Sequence, residues 1–273
     1  SVGSSTALGY WNRCERLLLS LESATSATTW GRQHSTSCDH VDCDARTKMA
    51  EITQKPLWDY WSNRWETGNT PWNRPDIHPL LTAHENEVLA NKRDAQVFIP
   101  LCGKAKEVKW FYDRGHRVAG LEYVEKTARQ LFEENKLPYE EATCPVINCK
   151  ILQTVDKRLR IFICSVFDLK KESVGPVDII WDRGALVAVN KEDRSRYISV
   201  MRPLMSPDCT YILISVVHDD DSYTGFPTSI PDDTVRELFG KEMKITKIAE
   251  NRRKKDHFYI KAPISEVLWC ITF

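Results

Sequence analysis

Residues Gln96–Tyr123, QVFIPLCGKAKEVKWFYDRGHRVAGLEY, constrain the fold more than any other stretch of the chain. An apolar run is followed by one glycine, Gly103, then a segment of helical period, then a second apolar run that ends on Glu122. That order predicts a βαβ unit with two parallel strands. An acidic residue closing the second strand of such a unit lies beside the ligand crevice and can accept hydrogen bonds from both hydroxyls of a ribose. Glu122 follows Gly103 by about twenty residues, the spacing this arrangement requires. A solvated glutamate after a strand is the plain alternative. The glycine count then separates the ribose-bearing ligands. A dinucleotide pyrophosphate needs a G-x-G-x-x-G turn so that backbone N–H groups come close to it, whereas Pro100-Leu101-Cys102-Gly103-Lys104 offers a single glycine. A cofactor without phosphates is favoured, and S-adenosylmethionine fits.

At 273 residues and 42% apolar side chains, the chain can bury one substantial core, and one α/β domain with an extension is the economical division. Lys and Arg total 38 against 38 Asp and Glu, so there is no global charge signature for nucleic acid or an anionic membrane, and a small-molecule partner is expected. No apolar run approaches the roughly 20 residues of a bilayer span, and the start of the sequence lacks a signal-peptide pattern. A cytoplasmic location and a monomer are the expectations. Nine cysteines at irregular spacing do not read as a disulfide framework. Cys102, in the cofactor loop, reads as a packed thiol in preference to a nucleophile, because no histidine stands near it in sequence.

Residues 1–55 form a polar, Ser- and Thr-rich extension, in which only Trp11–Leu21 has the pattern of an amphipathic helix. His34, Cys38, His40 and Cys43 imitate metal-ligand spacing but lack a second well-spaced pair, so no metal site is assigned. From Pro56 the character changes, and 56–273 reads as the folded domain. Trp58, Trp61 and Trp65 have helical spacing, and Trp72 follows the turn-like Gly68-Asn69-Thr70-Pro71. Trp58 is read as a core contact. Trp61, Trp65 and Trp72 are read as a lid, since indole walls can cover an adenine, exclude water and face a sulfonium cation.

Further on, Arg160–Phe167 and Val177–Trp181 are strand-like, Lys191–Met205 is helical with Pro207 marking its end, and Cys209–Val217 is the next strand. Two last β-like stretches, Met243–Ala249 and Val267–Phe273, have no good helix between them and are expected to pair antiparallel. The predicted architecture is a Rossmann-like α/β fold: a mostly parallel seven-stranded sheet, an antiparallel C-terminal edge strand and an N-terminal helical lid. Charges at strand ends in such a sheet face the crevice. Asp182 and Arg183, directly after an apolar strand, are therefore site candidates, with a structural Asp-Arg pair as the alternative. Ser165 and Val166, on the neighbouring strand end, could flank an adenine.

The runs FIPLCGKAKEVKWFYDRGHRVAGLE, CSVFDL and VDIIWDRGALVAVN, together with YWSNRWETGNTPW, resemble the thiopurine S-methyltransferase family over Trp58–Phe273. The resemblance implies a class I methyltransferase fold, S-adenosylmethionine as cofactor and a small thiol as acceptor. It also implies that Trp61, Trp65, Thr70, Pro71, Trp72, Leu101, Glu122, Ser165, Val166 and Arg183 line the cofactor site, beside Gly103 of the cofactor loop. Trp72 matches a substrate-touching aromatic position that is phenylalanine in the animal enzymes. The tryptophan of TPW is itself similar to that of related halide and thiol methyltransferases. The family has a second active-site arginine, for which the segment Arg252-Arg253-Lys254-Lys255 offers Arg253 as the candidate, against the plain reading of a solvated basic loop.

The implied chemistry is in-line methyl transfer to a thiolate, in which alignment and exclusion of water do most of the work. Arg183 cannot take the proton, because a guanidinium stays charged. It is expected to stabilise the thiolate, with Asp182 as orienting carboxylate. Other acceptors (halide, sulfide, selenium), a non-catalytic S-adenosylmethionine binder, and a nicotinamide-dependent oxidoreductase on the same fold are the competing readings.

Overall fold

The computed structural model describes residues 57–220, 223, 225–253, 260 and 262–273. The Trp11–Leu21 helix, the His34, Cys38, His40 and Cys43 spacing, and Lys254 and Lys255 lie outside the described residues. Among the described residues no helix is long and apolar enough to cross a membrane.

The centre of the structure is the predicted βαβ unit. Strand β1 (Gln96–Ile99) is joined through the helix Lys106–Asp113 to β2 (Arg117–Glu122), and the two pair in parallel with Val97 opposite Val118. The helix buries Val108, Trp110 and Phe111, whose spacing sets one apolar face against the sheet. The remaining strands are β3 (Tyr139–Thr143), β4 (Lys150–Thr154), β5 (Leu159–Ile163), β6 (Val177–Arg183), β7 (Met205–Val217), β8 (Lys244–Arg253) and β9 (Ile264–Thr272). They form one sheet in the order β3-β4-β5-β2-β1-β6-β7-β9-β8. From β5 to β7 all neighbours are parallel, and β8 and β9 form an antiparallel hairpin whose second strand lies against β7.

Among the described residues the sheet thus has nine strands where seven were expected. Seven make up the expected body, and the extra pair β3 and β4 extends it antiparallel beyond β5. The reversed strand is β9, one place in from the edge, and β8 is the edge itself. Strand β3 reads YEEAT, with no apolar alternation to announce it. Two element ends also shift. Strand β5 stops at Ile163 because the Ser165 hydroxyl accepts from the Phe167 N–H at 3.2 Å and turns the chain into the short 3-10 helix Val166–Asp168. The predicted helix over Lys191–Met205 is α-helical only at Arg194–Met201, and β7 begins at Met205. Pro203 ends it earlier than Pro207, since its ring excludes a helical hydrogen bond there.

The core lies on both faces of the sheet, as alternation along each strand requires. Val97 and Ile99 face one cluster with Phe111, Val118, Leu131 and Trp181, while Phe98 faces the other with Phe162, Ile180, Tyr197 and Tyr211. Covered on both sides, the central parallel strands can be apolar almost throughout. The chain leaves β1 toward β2 and β5 on one side and returns to β6 and β7 on the other. The change of direction opens a crevice at the carboxyl ends of β1 and β6, where ligands of such sheets bind.

Candidate active site

A cavity of about 270 Å³ occupies this crevice. Its floor is the loop after β1. Glu122, at the end of β2, is buried, and its carboxylate accepts from the Gly103 N–H at 3.0 Å and from the Val124 N–H at 2.7 Å. Burial pushes this carboxyl up, and the backbone N–H groups of Val124, Gly103 and Tyr123 pull against it, leaving a pKa of about 7. Gly103 has φ +50°, and a Cβ placed there would lie 2.7 Å from Trp65 Cζ2. The lone glycine of the loop is therefore fixed by the indole above it as well as by its own backbone. Cys102 is buried in the same loop and packs over Gly120, where a Cβ would meet its Sγ at 2.9 Å. Burial, with the charge of Glu122 next, pushes its thiol well up, so it is a packing residue.

The roof is aromatic. Residues 57–66 are helical and carry Trp58, Trp61 and Trp65 to the cavity, where Trp72 joins them after the turn. The Trp61 and Trp65 rings meet Trp72 edge-on, with centroids 5.1 and 5.9 Å apart. Phe226 lies 5.1 Å from Trp61 and adds a wall from the loop after β7. Trp58, expected in the core, instead lines the cavity, its ring tilted 32° to that of Tyr123 with centroids 4.7 Å apart. One turn of helix puts it on the same face as Trp61 and Trp65, and that face covers the crevice instead of the sheet.

The far end is cationic. Arg183, last residue of β6, is half-buried and donates from Nη2 to the Trp72 carbonyl oxygen at 2.9 Å, tying the strand end to the roof. Burial pulls its guanidinium down, Glu107 and Glu266 oppose this, and Arg74 and Arg253 add to it. Arg253 pairs with Glu266 Oε2 at 2.7 Å. Burial would raise the Glu266 carboxyl, but the contact with His78 and the charges of Arg253 and Arg183 outweigh it and hold the group near 2. His78 is fully buried. Its Nδ1 accepts from the Leu80 N–H, and its Nε2 lies 3.5 Å from Glu266 Oε1.

The predicted residues Trp61, Trp65, Pro71, Trp72, Leu101, Gly103, Glu122, Ser165, Val166, Arg183 and Arg253 all line this one cavity. Two do not. Thr70 shapes the preceding turn, its N–H bonded to Gly68 O and its carbonyl to Asn73 N. Asp182, expected to orient Arg183, lies elsewhere. Side chains alternate along β6, so it points to the face opposite Arg183 and is fully buried. There its carboxylate accepts from the Leu186 N–H (3.0 Å), the Tyr197 hydroxyl (2.8 Å) and the Tyr211 hydroxyl (2.6 Å). It joins β6, β7 and the helix Arg194–Met201, and does not orient Arg183. Arg64, Arg74 and Glu266 also line the cavity and were missed. Arg64 sits on the indole face of its helix, and Glu266 is a lone acid early in the apolar strand β9, signals that the sequence did contain.

A profile of the thiopurine S-methyltransferase family matches residues 58–265. The chain belongs to this family. It is 39% identical over 183 residues to the thiopurine S-methyltransferase of Rattus norvegicus, covering 67% of this chain and 76% of the rat enzyme. To the Oryctolagus cuniculus enzyme it is 39% identical over 186 residues, covering 68% and 76%. Among solved structures it resembles the Burkholderia thailandensis 1,6-didemethyltoxoflavin-N1-methyltransferase, crystallised with 1,6-didemethyltoxoflavin and S-adenosylhomocysteine. That likeness has a TM-score of 0.54 and 17% identity over 89% of this chain and 94% of that one, and it bears on the fold alone. The family member described here thus has the class I methyltransferase fold expected of it.

Proposed function

We propose that the protein transfers the methyl group of S-adenosylmethionine to the thiolate of a small aromatic or heterocyclic thiol of the thiopurine type, by in-line displacement. The observation that carries this reading is the pairing of Glu122 and an arginine cluster at opposite ends of one indole-roofed cavity. The floor suits the cofactor, because the cradle at Gly103 is one that a single Cβ would fill. Glu122 keeps unused acceptor capacity beyond its backbone donors and would take the ribose hydroxyls. Ser165 and Val166 would flank the adenine, and Trp61, Trp65 and Trp72 would exclude water from the sulfonium. When bound, S-adenosylmethionine supplies the activated methyl group.

At the other end, Arg74, Arg183 and Arg253 stand against Glu107 and Glu266. The arginines there outnumber the carboxylates, which favours an anionic acceptor such as a thiolate. An aliphatic thiol near pKa 8.5 is mostly protonated at neutral pH, whereas a heterocyclic thiol ionises readily and gains most from such a site. Arg183 would hold the thiolate, directly or through water, with Trp72 as the aromatic wall. A monomer in the reducing cytoplasm, without a nucleic-acid partner, completes the proposal. Its support is the balanced charge of the chain and the free thiols of Cys102, Cys144, Cys149, Cys164, Cys209 and Cys270. The test is a competition panel of thiopurines, aromatic and aliphatic thiols, sulfide and halides against labelled methyl donor. A thiopurine or thiophenol saturating at the lowest concentration supports the reading. Saturation first by halide or sulfide replaces it with the corresponding acceptor.

A further inference from the structure

Cys144, Cys149 and Cys164 lie at the adjoining ends of three strands, one residue after β3, before β4 and after β5. The β3–β4 ladder sets Thr143 opposite Lys150, and the β4–β5 ladder sets Lys150 opposite Ile163. Continued one step further, the two registers set Cys144 opposite Cys149 and Cys149 opposite Cys164. The Cys144 N–H donates to the Cys149 carbonyl oxygen at 2.8 Å, so the β3–β4 register persists one step beyond its ladder. Opposed residues project to the same face of a sheet, and here the Cys149 thiol is near enough to Cys144 and Cys164 for them to affect its titration. Cys144 and Cys149 are 2% and 8% exposed. Cys164 is half-buried and lines the cavity beside Ser165 and Val166. Methyl transfer uses none of the three.

We propose that Cys149 and Cys164 form a thiol–disulfide modification site whose oxidised form weakens cofactor binding. The oxidant is a low-molecular-weight disulfide that reaches Cys164 through the cavity. The Cys164 sulfur, having lost its proton, attacks one sulfur of the oxidant, forming a mixed disulfide and releasing one thiol. The Cys149 sulfur then attacks the Cys164 sulfur, closing the Cys149–Cys164 bond and releasing the second thiol. Two protein thiols are oxidised and one small disulfide is reduced. Burial raises the Cys149 and Cys164 thiols, so both rest protonated and exchange is slow near neutrality. A disulfide needs Cβ atoms about 3.5–4.5 Å apart, against about 4.5–5.5 Å for opposed residues of a strand pair, so closure displaces the end of β5 by up to about 2 Å. Ser165 and Val166 follow directly. The coupling, though not the bond, rests on reading those two residues as the adenine end of the site. Reciprocity then makes bound cofactor disfavour the bond.

The experiment treats the full chain with oxidised glutathione at pH 8.5, removes the reagent, and maps disulfides by mass spectrometry of a non-reduced digest. S-adenosylhomocysteine affinity is measured by calorimetry before oxidation, after it, and after dithiothreitol. The expected result is a Cys149–Cys164 peptide pair two hydrogens lighter than its thiols, a Kd raised about fivefold or more, recovery on reduction, and protection of the thiols by S-adenosylhomocysteine. Cys149→Ser, checked for an unchanged melting curve, should keep basal activity and lose the response. Should that variant fail to fold, Cys164→Ser must lose the response likewise. No crosslink, a crosslink to another cysteine, or a crosslink that leaves Kd unchanged overturns the proposal. Reduced wild-type protein that binds no S-adenosylhomocysteine overturns the cofactor reading too, which the disulfide map alone does not.

Discussion

Replacing Asp182 by asparagine tests whether this carboxylate is structural, as its position on the far face of β6 requires. The carboxylate satisfies three buried donors, the Leu186 N–H and the hydroxyls of Tyr197 and Tyr211. An asparagine side chain offers one oxygen and one NH2 in the same space. If the oxygen takes the place of Oδ2, both tyrosines keep an acceptor but the NH2 meets the Leu186 N–H. If the amide turns over, Leu186 is satisfied and both tyrosine hydroxyls lose their acceptor. One unsatisfied buried donor costs about 1–3 kcal/mol. Each kcal/mol lowers the melting temperature of a domain this size by about 2–4 °C, so Asp182→Asn should melt about 2–12 °C lower. Methyl-transfer kcat, measured well below the variant's Tm, should stay within about threefold, since no atom of Asp182 reaches the cavity. Combination with Tyr211→Phe adds a second check: with that hydroxyl absent, Asp182→Asn should cost less, giving a coupling of about 0.5–3 kcal/mol. An unchanged Tm with kcat reduced a hundredfold would place Asp182 on the reacting atoms and refute the structural assignment.

Glu122→Gln should weaken S-adenosylhomocysteine by roughly 10- to 150-fold, the equivalent of about 1.5–3 kcal/mol for a lost charged acceptor. Calorimetry decides it, and an unaltered Kd removes the ribose assignment. The Glu122 carboxyl titrates near 7 because it is buried, so it is ionised above that pH and protonated below it. Wild-type affinity should therefore fall as pH is lowered from 8 to 6, by at most about tenfold per unit, while Glu122→Gln stays flat. Gly103→Ala puts a residue at φ +50° for about 1–2 kcal/mol and drives a Cβ against Trp65, so cofactor affinity and Trp fluorescence should change together. Arg183→Ala should depress turnover on an aromatic thiol while cofactor still binds. Equal kcat/KM in variant and wild type would exclude the arginine from thiolate stabilisation.

What the sequence made legible was the part governed by local order. The strand, single glycine, helix, strand and Glu122 of residues 96–123 announce both their fold and their crevice, because each step is fixed by neighbours within about twenty residues. Most of the lid was equally readable from helical spacing, which brings Trp61 and Trp65 to one face. The failures are cases in which a residue's direction depends on a distant partner. Asp182 and Arg183 are adjacent in sequence and opposite in space, and only the positions of Tyr197 and Tyr211 reveal which of them faces the core. The cavity-facing position of Trp58 is not legible locally, because nothing in its own segment says which surface its helix covers. Strands β3 and β4 escaped because their outer members pair by register, with little apolar alternation to mark them. Arg253 stood within a run of basic residues, and only its pairing with Glu266 of the adjoining strand singles it out.

The order of the strands makes these separate features into one site. Glu122 closes β2, Arg183 closes β6, and β1 lies between them in the sheet, so the two charges flank the opening created where the chain reverses direction. The acid and the base do not neutralise each other. Glu122 is bonded to the Gly103 and Val124 N–H groups, and Arg183 to the Trp72 carbonyl, so each is held apart by backbone partners of its own. A ligand that spans them must present hydroxyls at one end and admit an anion at the other, with its cationic centre beneath the indoles. A methylated sulfonium joined to a ribose, approached by a thiolate, meets all three demands, whereas a pyrophosphate would bring its charge against the buried Glu122 and an aromatic roof. The cavity's place is therefore set by where β2, β1 and β6 end, and the proposed preference for an anionic acceptor rests on how Arg74, Arg183 and Arg253 share Glu266 and Glu107.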